Sequence, residues 1–131
     1  MNRRNVNDLL RESRRGLSRV EPQEAAGLLA AGAHLIDVRT SEQIASDGHI
    51  PGALEISLNV LEWRLDPDSA SRHPEAPPLD AVVIVVCDEG FCSSLAAARL
   101  QAIGFQAATD VIGGFQAWRQ SGGALLAGGG T

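Results

Sequence analysis

Apolar and polar positions along this chain follow two periods, one helical and one of strands. Val6, Leu9, Leu10 and Leu17 recur near helical spacing with the arginines elsewhere, which predicts an amphipathic helix over 6–16 laid against the rest of the fold. Residues 17–20 have the length of a short edge strand. Glu21 and Pro22 open a second helix, with proline in the first turn where its missing N–H costs nothing, and Gly32 stops it. A strand over 34–39 delivers Asp37 and Arg39 to its carboxyl end. A short helix from Ser41, a turn over 49–53, a strand over 53–56 and a helix over 59–65 follow. Residues 66–78, rich in Pro, Ser and Asp, read as a surface loop. Then comes a continuous β-branched run, Val82-Val83-Ile84-Val85-Val86, which predicts a strand buried on both faces. Ser93 or Ser94 is the expected N-cap of the next helix, with Ala96, Leu100 and Ile103 on one face and Gly104 as its stop. A last strand over 107–112, broken by Gly113-Gly114, leads into a closing helix. Strands alternating with helices give an α/β domain around a mainly parallel central sheet of about five strands, flanked by helices on both faces. In such sheets ligands bind beyond the carboxyl ends of the strands.

Composition narrows the class. A length of 131 residues, 44% hydrophobic and 21% charged, suits one soluble domain able to bury its own core. No apolar run approaches the roughly 20 residues of a membrane helix, so no membrane partner is expected. Basic residues at the start have no apolar core behind them, which argues against a secretory signal and for a cytoplasmic protein. Six arginines against Asp8 and Glu12 give residues 1–20 a balance of +4, leaving −9 to the remainder of a chain whose total is −5. A solvated helix face is the expected reading of those arginines; contact with an acidic partner is the alternative, and nucleic acid is not expected. Two cysteines are too few for a disulfide framework and lack the second pair of a structural zinc site, so neither metal nor cofactor is expected.

Those cysteines, Cys87 and Cys92, open and close the loop between the buried strand and its helix. Gly90 allows the loop to turn tightly. A loop entering a helix N-terminus can aim several amide N–H groups at one concave spot, and a cysteine facing that spot has its thiolate stabilised. The thiolate is the nucleophile, and a captured sulfur stays anionic as a persulfide in the same nest. A cysteine ending a buried strand can equally be a small core hydrophobe.

The order of motifs separates these readings. Cys87-Asp88-Glu89-Gly90-Phe91-Cys92-Ser93 resembles the active-site loop of the rhodanese-like sulfurtransferases, whose usual pattern is Cys-x-x-Gly-x-Arg-Ser. Asp37-Val38-Arg39 with Glu42, Gly48-His49-Ile50-Pro51-Gly52-Ala53, and Gly113-Gly114-Phe115-Gln116-Ala117-Trp118 are similar to that family's other signatures, in the expected order. The resemblance spans 18–122. It implies a rhodanese-like domain there, with 1–17 a basic N-terminal extension and 123–131 a flexible Gly-rich tail. It also implies a double displacement: Cys87 attacks the outer sulfur of a donor, holds it as a persulfide, and passes it to a thiol or other nucleophilic acceptor, a small molecule or a protein. The loop positions Asp88, Glu89, Gly90, Phe91, Cys92 and Ser93 would form the substrate cradle, mainly through backbone amides of 88–92. Asp37, Arg39, Gly48, His49, Pro51, Gly52, Gly113, Gly114 and Trp118 are expected to serve the scaffold. Arg64, in the region that rims the pocket of related proteins, is an outside candidate for an anion contact.

Two departures from the family pattern bear on the substrate. Asp88 and Glu89 stand where active thiosulfate users commonly carry arginine or lysine. At an effective dielectric near 20, a unit charge about 6 Å away costs on the order of 2–3 kcal/mol, enough to raise the thiol pKa and repel an anionic donor, with the loop amides opposing the shift. Weak activity on thiosulfate is therefore expected. Cys92 replaces the arginine, either as a resolving thiol or, the reading favoured here, as a passive filler. A Cys-x5-Arg phosphatase would need arginine where this chain has Ser93, and the next arginine is Arg99. A thioredoxin-like exchanger would need Cys-x-x-Cys. A non-catalytic binding or regulatory module of the same fold is the remaining alternative, although it would not require Cys87.

Overall fold

Four parallel strands, β1 (His34–Asp37), β2 (Leu54–Glu55), β3 (Val83–Val86) and β4 (Ala108–Asp110), form a sheet of order β2-β1-β3-β4 in a computed structural model that describes residues 2–126. The chain leaves β1 toward one edge and β3 toward the other, so the topological switch point lies between β1 and β3, the place where such sheets bind ligands. The fifth strand expected over 17–20 shrinks to one parallel bridge, Val20 with Val111, because Leu17 turns inward to pack on the core instead of pairing.

Alternation along β1 and β3 divides the core in two. Ile36, Val83 and Val85 face a cluster completed by Leu61, Leu65, Leu100 and Phe105. Leu35, Ile84 and Val86 face Ile50, Val111, Phe115 and Trp118. Helices α4 (Leu61–Leu65) and α5 (Cys92–Ala102) thus cover one face, and α2 (Pro22–Ala30) with α6 (Gly114–Gln120) the other. Both-face burial explains why β3 reads as an unbroken apolar run. The short helix α3 (Ser41–Asp47) is capped by Thr40, whose hydroxyl accepts from the Gln43 amide at 3.1 Å.

Helix α1 (Val6–Arg14) packs on the outside of α5. Val6 and Leu9, expected to face the domain, stay exposed at 72% and 49%; Asp8, Leu10, Ser13 and Arg14 are the half-buried positions. The arginines are accordingly not all solvated. The C-terminal boundary also shifts: Leu126 exchanges two backbone hydrogen bonds with His49, at 2.7 and 2.9 Å, and Trp118 Nε1 donates to the Ala124 carbonyl at 3.0 Å, so 123–126 belong to the fold. The tail expected over 127–131 lies outside the described residues. Ile103, expected on the buried face of α5, is 37% exposed because the helix ends at Ala102.

Asp37 and Arg39, at the carboxyl end of β1, form a buried pair: Nε and Nη2 of Arg39 reach the carboxylate at 2.8–3.1 Å, and Nη2 also donates to the Gly48 carbonyl at 2.9 Å. The guanidinium lies 3.7 Å above the Phe115 ring, which faces its charge where no second carboxylate does. Removing one partner leaves the other's charge buried and uncompensated. Asp37→Ala is therefore expected to lose about 3–5 kcal/mol of stability, measured by urea denaturation, while a surface change such as Asp68→Ala stays within about 0.5 kcal/mol.

Candidate active site

Cys87 closes β3 at the switch point, buried to 4% exposure. What shapes the loop after it is the start of α6. The Phe115 amide donates to the Cys87 carbonyl at 2.8 Å and the Gln116 amide to the Asp88 carbonyl at 3.0 Å. With those carbonyls held back, the chain turns through Gly90, at φ +89°, and the Gly90 amide reaches Cys87 Sγ at 3.1 Å. The two backbones meet so closely that a Cβ on Gly114, itself at φ +62°, would sit 2.6 Å from both the Cys87 carbonyl oxygen and the Gly90 nitrogen.

Helix α5 begins one residue before the expected caps, with Phe91 at the N-cap. Ser93 and Ser94 do not cap it because their hydroxyls turn inward, donating to Asp110 Oδ2 at 2.7 and 2.8 Å; all three residues are fully buried. Asp110 also accepts from Arg19 Nε at 2.8 Å, and Arg14 donates to Ser94 Oγ and to the Gly90 carbonyl, both at 2.9 Å. Sequence reasoning missed Asp110, Arg14 and Arg19. Asp110 had a signal, since it ends a strand at the sheet's carboxyl edge as Asp37 does; for the two arginines only the fold brings them near.

The Cys87 thiol is held well below its ordinary value, down to about 5. The largest cause is a hydrogen bond from the Cys92 thiol; burial opposes it, and Ser93 with the amides of Ser93 and Gly90 add to the lowering. The Ser93 hydroxyl has a single proton, and at 2.7 Å Asp110 holds it. The standing donors to the thiolate are thus Cys92 and the two amides. The Cys92 thiol is pushed up by that same shared proton, by burial and by the adjacent charge. Cys92 thus keeps its proton beside the thiolate, and among the described residues the Gly90 amide makes the hydrogen bond to Sγ that the geometry shows. The net shift is downward with Asp88 and Glu89 beside the thiol, the donors just named outweighing them; Asp88 Oδ1 accepts from Gln116 Nε2 at 2.8 Å and Glu89 is exposed. The cradle expected from the amides of 88–92 narrows to Gly90 and Ser93 around Sγ.

In front of Cys87 lies an open groove of about 1180 Å³, bounded by the ends of β1 and β3, with Arg39, Asp88, Glu89, Phe91 and Cys92 on its walls. His49 reaches it too, with Nδ1 hydrogen-bonded to the Glu55 carboxylate. Pro51 and Gly52 form the exposed turn that follows, closed by the Ala53 amide on the Ile50 carbonyl at 3.1 Å. Trp118 is core. Arg64 does not reach the groove: its Nη1 donates to the Ser71 carbonyl at 2.7 Å, pinning the loop over 66–78, which withdraws it as an anion contact. Among the described residues, no three His, Cys, Asp or Glu side chains gather in a way that could hold a metal ion, and no helix is long and apolar enough to cross a membrane.

The family model described as "Rhodanese-like domain" matches residues 21–121; the chain belongs to that family and is a sulfurtransferase by class. It is 36% identical over 103 residues to the "Thiosulfate sulfurtransferase GlpE" of Pseudomonas entomophila, covering 79% of this chain and 85% of that one. The human single-domain sulfurtransferase TSTD1 superposes with a TM-score of 0.68 at 31% identity, over 78% of this chain and 95% of its own. A Rhodopseudomonas palustris protein of unknown function, designated a possible tyrosine phosphatase, superposes with a TM-score of 0.86 at 29% identity, over 96% of this chain and 97% of its own.

Alkylation of Cys87 by iodoacetamide should follow one ionisation with its midpoint near pH 5, the thiolate being lost as pH falls through that value. Cys92→Ala removes the largest stabilising hydrogen bond and should raise the midpoint by at least about one unit. A rate-against-pH series, with the modified residue located by mass spectrometry, measures both; an unmoved midpoint in Cys92→Ala would contradict the assignment of Cys92 as donor.

Proposed function

We propose that the chain carries sulfane sulfur as a persulfide on Cys87, and that its donor is a persulfide of a small thiol or a protein rather than thiosulfate. The observation that carries the first part is the Cys87 sulfur itself, anionic at neutral pH, with the Gly90 amide at 3.1 Å and the groove open before it. The thiolate attacks the outer sulfur of a donor R–S–S⁻. The new S–S bond forms as the donor's own S–S bond breaks, and R–S⁻ leaves with the electron pair. A thiolate or other nucleophilic acceptor then attacks that outer sulfur, and the pair returns to Sγ. Net oxidation is zero, and each anionic state rests against the same amides. In the resting state Cys92 keeps its proton, which suits it to steadying the charge and not to displacing it.

The choice of donor rests on the rim. The Pseudomonas relatives are named for thiosulfate. Here Asp88 and Glu89 face the groove, and no arginine or lysine lies within 87–93. The thiol stays ionised despite these carboxylates, and their repulsion falls on an approaching dianion. Two free cysteines and the need for a reduced thiol fit a reducing compartment, the cytoplasm.

Wild-type protein mixed with glutathione persulfide should gain the mass of one sulfur atom on Cys87, and Cys87→Ala should gain none; a Cys87→Ala variant that still takes up sulfur would contradict the assignment. Steady-state turnover of thiosulfate with cyanide should be slow and should rise about tenfold or more in Asp88→Arg. An unchanged rate in that variant would remove the acidic rim as the reason.

A further inference from the structure

The loop over 87–93 carries no basic residue, yet it holds a thiolate, which raises the question of where the balancing charge lies. Asp110 and Arg19 neutralise each other, with Arg19 Nε and Nη2 on the carboxylate at 2.8 and 3.2 Å and the Asp110 side chain fully buried. Arg14 has no carboxylate within salt-bridge distance among the described residues; its Nε and Nη2 go instead to Ser94 Oγ and the Gly90 carbonyl, each at 2.9 Å. Counted together, Arg14, Arg19 and Asp110 leave the cluster behind the loop one net positive charge, and Arg14 feels the Cys87 thiolate as well as Asp110. Of the titratable groups around Cys87, Cys92 on α5 is neutral, Asp110 at the end of β4 is matched by Arg19, Arg39 after β1 is matched by Asp37, His49 is bonded to Glu55, and Asp88 and Glu89 are negative. Arg99 on α5 also lines the groove, but its side chain is exposed and its nearest carboxylate is Glu62 at 3.9 Å. Arg14 on α1 is the cation that grips the loop itself.

We propose that the N-terminal helix is part of the sulfur-transfer site, Arg14 being a positioning residue that holds the Gly90 carbonyl and supplies, from outside the loop, the cationic charge that the loop lacks. Its forked contact fixes the peptide that follows Gly90, while the Gly90 amide points at Cys87 Sγ. Arg19 Nη2, on the same carbonyl at 3.2 Å, assists. Neither arginine lines the groove, so both act through the loop and not on substrate. The device lies outside the family's own match over 21–121, and the Rhodopseudomonas palustris structure, which covers 96% of this chain, extends across it.

This inference rests on the assignment of Cys87 as sulfur carrier, and two measurements keep the two apart. Arg14→Gln should raise the pH midpoint of Cys87 alkylation by about one unit and, at pH 5, lower kcat/KM for glutathione persulfide about fivefold as the thiolate fraction falls. Arg14→Lys restores the charge but not the fork; its midpoint should move less than half as far, and its kcat/KM should fall no more than about twofold. Arg11→Gln, on the exposed side of α1, should match wild type on both. Wild-type midpoint and kcat/KM in Arg14→Gln would overturn the proposal, as would an Arg14→Lys no better than Arg14→Gln. Should Arg14→Gln fail to fold, wild-type values on both measures in Arg14→Lys overturn it. Sulfur uptake persisting in Cys87→Ala would overturn the underlying assignment instead.

Discussion

Two peptide carbonyls decide the chemistry of this protein. The first amides of α6 take the carbonyls of Cys87 and Asp88, and a loop so pinned turns through Gly90 until that residue's amide meets the sulfur. Each hydrogen bond is modest alone, about 1 kcal/mol net, but together they choose one backbone path out of many. The same helix start also reaches β1, because the Phe115 ring lies under the Arg39 guanidinium, which holds Asp37 and Gly48. One short helix therefore ties the ends of both central strands, and the Gly113-Gly114 pair exists to let it come close enough.

The thiolate is then stabilised in layers. Closest are a thiol and two amides, which outweigh the cost of burial without an in-loop cation. Behind them Asp110 gathers the hydroxyls of Ser93 and Ser94 and the guanidinium of Arg19, fixing the first turn of α5 from below. A buried carboxylate with three donors is satisfied, and so rigid. The carboxylates that face outward, Asp88 and Glu89, do not overcome those donors, and Asp88 is engaged by Gln116.

The core and the place of Cys87 at the head of β3 were legible in the sequence because both follow from short-range rules: a β-branched run buried on two faces and a glycine where the chain must turn. The caps of α5 were misread for the same reason. Ser93 and Ser94 satisfy the local rule for a helix start, but Asp110, sixteen or seventeen residues away along the chain, offers a better acceptor. Arg14 lies 80 residues from Ser94 and 76 from Gly90, beyond any periodicity or spacing rule. Its charge looked solvated because nothing near it in sequence demanded otherwise. Arg64 shows the reverse error, a cation placed in the pocket by analogy that a neighbouring carbonyl on its own loop captures first.

The arginines also bear on why this site moves sulfur and not phosphate, the activity suggested for the Rhodopseudomonas palustris structure. A phosphoryl group needs a forked guanidinium on its oxygens, in front of the cradle. Here Arg14 and Arg19 lie behind it, spent on a backbone carbonyl, a serine and a buried aspartate, and Arg39 is locked to Asp37. What faces the groove beside the nucleophile is Asp88 and Glu89. Arg99, also on the groove, has Nη1 3.9 Å from Glu62, so beside the sulfur phosphate would meet two carboxylates and no arginine within the loop. A persulfide delivers one polarisable, singly charged sulfur, and once bound to Cys87 its charge falls on the Gly90 and Ser93 amides that already held the thiolate.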